Sequence, residues 1–236
     1  MCDDRRVTVD TDAAVETPNL PAEGELGESR LPPAIALVLF MALNIALRLW
    51  LPSEGAIRIP WLVPAVEGVL LVLLLLGPAA GDRRRLRPLA VTFVVVLVLA
   101  ALWATGVLIR DLILGVGVTV SPSELLASGA VVWLGNIIAF AMLYWLMDGG
   151  GPSRRARLAE PVDFAFTQHM SPELVPPGWR PVFLDYLHLG FTNATAFSPT
   201  DVMPLSLRAK YAMLVQSTVA LALFGLVVAR AVNAFA

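Results

Sequence analysis

Five uninterrupted apolar runs, separated by polar stretches, dominate the chain. Each is about as long as the ~20 helical residues that cross a bilayer core, so the pattern predicts five transmembrane helices. The first covers about Ala34 to Leu51, and Pro32-Pro33 stands before it where a helix start wants proline. The second covers about Trp61 to Gly77, and its core from Val69 to Leu76 is the most lipid-like stretch of the protein. The third runs from about Leu89 to Ile109, with a weaker continuation from Arg110 to Val120 that either extends it or re-enters. The fourth runs from about Leu125 to Met147, behind Ser121-Pro122-Ser123-Glu124, which reads as a capping signal. The last runs from about Tyr211 to Phe235. Trp50, Trp61 and Trp145 fall near span ends, where amphipathic rings prefer the interface.

Between the fourth and last spans the pattern changes. A polar stretch from Asp148 to Pro181 contains Gly149-Gly150-Gly151, Arg154-Arg155-Ala156-Arg157 and Pro176-Pro177. From Asp185 to Thr195, apolar and small residues recur at helical spacing, then break at Ser198-Pro199, and a long helix resumes after Pro204. Half-helix, break and full helix predict a re-entrant loop, since non-helical backbone at membrane depth is tolerated only where protein or water covers it. The expected architecture is therefore all-α. It is an integral membrane helical bundle with five transmembrane helices plus a re-entrant pore-like half-helix and loop. Residues 1–31 form an acidic tail, 32–147 four helices, 148–180 a polar loop, and 181–236 the hairpin and last helix.

Composition agrees. Of 236 residues, 57% are hydrophobic and only 15% charged, with a mean hydropathy of +0.73, against about 25% charged residues in a soluble domain. Soluble enzymes, disulfide scaffolds and nucleic-acid binders are disfavoured together. The lone Cys2 cannot form an internal disulfide. Eight acids (Asp3, Asp4, Asp10, Asp12, Glu16, Glu23, Glu25, Glu28) face three arginines (Arg5, Arg6, Arg30) in the first 31 residues. Such a stretch buries too little apolar surface to offset ordering entropy, so it is expected to be disordered. A docking peptide for a partner is the alternative. Neither a signal peptide nor a mitochondrial presequence is expected from this acidic start.

Three polar side chains interrupt the spans: Asn44, Glu67 and Asn136. A charged group at mid-bilayer costs a few kcal/mol, which makes an intramembrane acid a functional-site candidate. Glu67 has two readings. It either serves helix packing, facing the bundle toward Arg110 or an asparagine within reach of interfacial water, or it does chemistry. The asparagines read as interhelical hydrogen bonders, worth about 0.6 kcal/mol each.

The stretch Thr195-Ala196-Phe197-Ser198-Pro199-Thr200-Asp201 is followed by Pro204, Arg208 and Lys210, then a helix through Gln216-Ser217-Thr218 to Val228-Ala229-Arg230-Ala231-Val232-Asn233. Over about fifty C-terminal residues this resembles the pore module of the potassium-channel superfamily: pore helix, Thr-Val-Gly-Tyr-Gly-Asp filter, proline, basic residue and inner helix. The resemblance implies a pore helix from Pro181 to Ala196, the fourth span as outer helix, assembly of several copies, and a monovalent cation as ligand. The chain also looks like a group of bacterial membrane proteins sharing the Asn193-to-Asp201 element, a likeness that implies no activity. The filter glycines are missing. Their places hold Ser198 and Thr200, and Pro199, with fixed φ and no N–H, holds the tyrosine's. A carbonyl cage is therefore not expected. Thr195, Ser198, Thr200 and Asp201 would instead line a less selective pore, or the loop closes a bundle and conducts nothing.

Orientation pulls two ways. The arginine clusters after the second and fourth spans should be cytoplasmic, which places the N-terminus inside. Channel-like topology puts the loop before the pore helix outside, and the motif is followed here. A full crossing by residues 182–202, giving six spans, is the other solution. No metalloprotease, nucleophile-elbow, phosphate-loop or Cys-x-x-Cys motif occurs, and Gly115-Val116-Gly117 alone is no dinucleotide fingerprint. No enzyme activity, cofactor, metal or nucleic-acid partner is expected. The partners expected are the lipid bilayer and, for a channel, further copies of the chain. His169 is expected in a solvated loop, His188 as either a packed or a proton-sensitive residue, and the Asn193-Ala194-Thr195 sequon as buried.

Overall fold

The computed structural model describes residues 28–50, 62–76, 83–114, 122–155, 161–195 and 201–235. Its helices are α1 (Leu31–Trp50), α2 (Leu62–Leu76), α3 (Arg83–Leu114) and α4 (Pro122–Met147). After a 3-10 turn come the single-turn α5 (Pro152–Arg155), strand β1 (Phe164–Phe166), α6 (Thr167–Met170), and a second 3-10 turn. Then follow α7 (Phe183–Thr195), strand β2 (Val202–Pro204) and α8 (Leu207–Phe235). All five apolar runs are helical. Three stretches are long and apolar enough to cross a membrane: Pro88–Arg110 in α3, Leu126–Arg155 through α4 and α5, and Leu207–Arg230 in α8. The apolar part of α1 that qualifies is shorter, Leu31–Ala46, and α2 has 15 residues.

Several boundaries differ from the sequence reading. The arginine-rich segment before the third span is helical from Arg83 onward, with Pro88 inside the helix. The weaker continuation simply extends α3 to Leu114. The chain is not purely helical either: β1 and β2 pair antiparallel, Phe164 opposite Pro204 and Phe166 opposite Val202. Strands of three residues are too short for an alternating pattern to be visible in sequence.

Hydrogen bonds show which helix ends meet. The Phe183 N–H at the start of α7 donates to Glu28, which precedes α1 and also accepts from Trp145 near the end of α4. The Asp163 N–H donates to Asp148 just beyond α4, while Ser206 and Arg208 at the start of α8 donate to Asp163. So the start of α1, the end of α4 and the starts of α7 and α8 share one end of the bundle. At the other end, Val227 of α8 lies against Gly129 of α4, and Leu108 of α3 packs with Leu223 and Val227. Helix α8 thus runs antiparallel to α4.

Helix α7 descends between α4 and α8 from this shared end. Its 13 residues span roughly 20 Å at 1.5 Å per residue, about two-thirds of a ~30 Å hydrocarbon core. By β2 the chain is back beside β1, at the end it started from. Glycine makes the close approach to α4: a Cβ at Gly190 would sit 3.1 Å from the Ile137 carbonyl oxygen. The turn after α4 also needs glycine, because Gly149, Gly150 and Gly151 have φ of 54°, 77° and 95°.

Candidate functional site

Three polar layers hold the α7 hairpin. The first lies at its foot. Asp148 is fully buried, and its Oδ1 accepts from the backbone N–H groups of Asp163 and Phe164 at 2.6 and 3.3 Å. Its Oδ2 accepts from the Tyr186 hydroxyl at 2.5 Å. Asp163, also buried, receives Nε and Nη2 of Arg208 at 2.6 and 2.7 Å, together with the Ser206 hydroxyl. This fork-to-fork geometry is the strong form of the ion pair. The buried Arg155 donates to the carbonyls of Trp145 and Asp148, reaches Glu28 at 3.4 Å, and stacks its guanidinium over the Tyr186 ring. Glu28 receives the Trp145 indole N–H at 2.9 Å and the Phe183 N–H at 2.5 Å. Burial pushes the Glu28 carboxyl above the usual range, against the pull of Trp145, Phe183 and Arg155. Phe164, Phe166 and Tyr186 meet edge-on beneath this layer, with Trp179 and His169 at its margin.

The second layer locks the deeper half of α7. Gln216 of α8 is fully buried; its Oε1 accepts from the Tyr144 hydroxyl at 2.7 Å and from Asn193 Nδ2 at 2.8 Å. Its Nε2 donates to the Gly190 carbonyl at 2.9 Å, and Asn193 Nδ2 also reaches the Met213 carbonyl. Every side chain here is bonded across helices, which suits polar groups in an apolar bundle.

The third layer faces outward. His188 Nε2 lies 3.1 Å from Asp201 Oδ2, and the two side chains are 59% and 39% exposed. Thr195, two turns further along α7, is also exposed, its hydroxyl donating to the Phe191 carbonyl. Asp201 pairs with the middle of α7, so it stands about 10 Å back from Thr195 toward the foot. The two described ends of the filter-like segment therefore sit at different heights. Ala196, Phe197, Ser198, Pro199 and Thr200 lie outside the described residues.

Asn44, Glu67 and Asn136 separate from this site. Asn44 donates to Glu67 Oε1 at 3.0 Å, joining α1 to α2. Glu67 is fully buried and its partner is the asparagine, while Arg110 is exposed. Asn136 is buried with neither side-chain atom bonded, so it does not act as an interhelical hydrogen bonder. His169 is exposed, as a loop position would be, though it also accepts from the Phe166 N–H. Asn193 of the sequon is buried.

Sequence reasoning missed the whole foot layer. Glu28, which the sequence places in the acidic tail, is bonded to Trp145, Arg155 and Phe183; residues 1–27 lie outside the described residues. Arg155, one of the arginine cluster used for orientation, is buried. The usable signals were an acid directly behind a span, Asp148, and a polar Gln216 in the last one. Among the described residues no group of three or more His, Cys, Asp or Glu is placed to hold a metal ion. Comparison with known proteins returns no matching family model, curated protein or solved structure.

Proposed function

We propose that this is an integral membrane protein in which α1, α2, α3, α4 and α8 all cross the bilayer and the α7 hairpin re-enters it. In this reading several copies assemble so that the outward faces of α7 line a polar path for monovalent cations. The supporting observation is the exposed His188–Asp201 pair, with Thr195 on the same half-helix. Charged and polar groups facing lipid are costly, so these call for water or a neighbouring copy. The wedge of α7 between α4 and α8 has the order of parts of a pore module. Side chains rather than glycine carbonyls would set selectivity, which is weak on this account.

Charge assigns the membrane face. The arginine-rich end carries Arg30, Arg83, Arg84, Arg85, Arg87, Arg154, Arg155, Arg180, Arg208 and Lys210; described positions at the far end are Arg48, Arg110 and Arg230. Ten against three makes the hairpin end cytoplasmic. This reverses the orientation that the channel resemblance implies. It also removes the need for a sixth crossing, because both feet of the hairpin and both arginine clusters share one end.

Planar-bilayer recording of the purified protein tests conduction. Unitary cation currents that shrink in Asp201→Asn are expected. Silence of both proteins across voltage, pH and cation defeats the conducting reading. Accessibility labelling at Asp185→Cys and Met203→Cys should report one face, and labels on opposite faces would end the re-entrant reading. A second reading has its own support. The Tyr144–Gln216–Asn193 lock satisfies the hairpin within one copy, as a non-conducting scaffold requires. A monomer in nanodiscs favours the scaffold; a stable oligomer favours the pore.

A further inference from the structure

Glu67 takes no part in the hairpin. It lies on α2, five residues past the first, while Asn44 stands six residues before the end of α1. Both are about two turns from the bundle end opposite the hairpin. The Glu67 side chain is fully buried; Oε1 accepts one hydrogen bond from Asn44, and Oε2 has no partner. Helix α1 faces it with Asn44, and Arg48 follows one turn later in the sequence. Helix α3 packs on α2 from its other side, and Arg110 toward that end is exposed. Among the described side chains no cation pairs with this carboxyl.

A buried carboxylate with one donor and no counter-charge is costly, and an intramembrane acid that persists under those terms marks a site. The neutral acid avoids most of that cost, since an unpaired hydroxyl is far cheaper to bury than an unpaired charge. Its carbonyl oxygen still accepts from Asn44. We propose that the Glu67–Asn44 pair is an exchangeable-proton site inside the bundle. The carboxylate takes one proton from the solution at the end opposite the hairpin and returns it there. Asn44 is the positioning residue, holding the carboxyl between α1 and α2 in both forms. This site is independent of the pore reading and stands whether or not the hairpin conducts.

The full-length protein in nanodiscs offers two readouts: the infrared C=O band of a protonated carboxyl, and labelling by dicyclohexylcarbodiimide. In the labelling step the acid's proton moves to a carbodiimide nitrogen as its oxygen bonds to the central carbon, so only a protonated, apolar-shielded carboxyl reacts. The expected result is a band and a labelled Glu67 peptide at neutral pH, both lost in Glu67→Gln. Above the midpoint both signals fall about tenfold per pH unit, as a single-proton titration requires. Asn44→Leu, in which the anion loses its donor, should retain the band to higher pH. Glu67→Gln keeps an acceptor for Asn44 and so is expected to fold. Signals unchanged by Glu67→Gln, or constant with pH, overturn the proposal. Labelling suppressed by sodium at constant pH overturns it as well, in favour of a metal-cation site.

Discussion

The two helical hairpins that carry buried polar groups are built on opposite terms. Around α7, three buried side chains have several partners each: Asp148 accepts three hydrogen bonds, Asp163 three, and Gln216 accepts two and donates one. Between α1 and α2, among the described residues, one bond joins Asn44 to Glu67, and one carboxylate oxygen is left over. A satisfied network rigidifies its surroundings, whereas a half-satisfied one is where a structure stores the capacity to change. The difference teaches that polarity within this bundle has two uses. At α7 it fixes a short helix and the irregular backbone at its foot. At Glu67 it maintains a group whose charge is not settled by its neighbours.

The largest test of this contrast is Asp148→Ala. It strands two backbone N–H groups and the Tyr186 hydroxyl in a fully buried layer. Loss of about 3–5 kcal/mol is expected, since each buried donor left unpaired costs about 1–3 kcal/mol. Chemical unfolding in mixed micelles measures it, and a loss below about 1 kcal/mol would show the foot layer to be dispensable.

Gln216→Leu should cost less, about 1–3 kcal/mol, because Asn193 keeps its bond to the Met213 carbonyl while Tyr144 and Gly190 lose theirs. The same unfolding assay, with hydrogen exchange across α7, should show the deeper half of the helix opening first. An unchanged exchange pattern would mean that apolar packing alone holds it.

Asn44→Leu is expected to cost about 0.6 kcal/mol, the average for an interhelical hydrogen bond in a membrane. A loss as large as that of Gln216→Leu erases the contrast between the hairpins.

The smallest effect is a pH dependence at Glu28. Its carboxyl is raised in the folded state by burial, so its contribution to stability is complete below the unfolded value and declines as pH rises through the folded one. Stability of the wild type relative to Glu28→Gln should therefore fall with pH above the usual carboxylate range. A difference that grows with pH instead assigns the Arg155 contact the dominant role.

Much of this was legible in the chain. Runs of about twenty apolar residues can only be buried helices or membrane spans, so all five long helices were readable. The half-helix from Phe183 to Thr195 was readable from its spacing and from the break at Ser198-Pro199. The residues that hold it were not. Asp148, Asp163 and Arg208 are separated by 15 and 45 residues in the sequence, and nothing in a linear pattern pairs an acid behind one helix with an arginine at the start of another. Gln216 was visible as a polar position in an apolar helix, but its three partners come from α4 and α7.

The amino-acid order by itself determined the helical membrane-type character of the protein and the positions of its long helices. Those properties are local, set by the free energy of moving side chains out of water and by the missing N–H of proline. Only the tertiary structure decided that both arginine clusters share an end with the hairpin, that Thr195 and Asp201 stand at different heights, and that Glu67 meets Asn44. Each depends on which helix faces which, and that choice is made by close packing and by the requirement that every buried polar group find a partner where one exists.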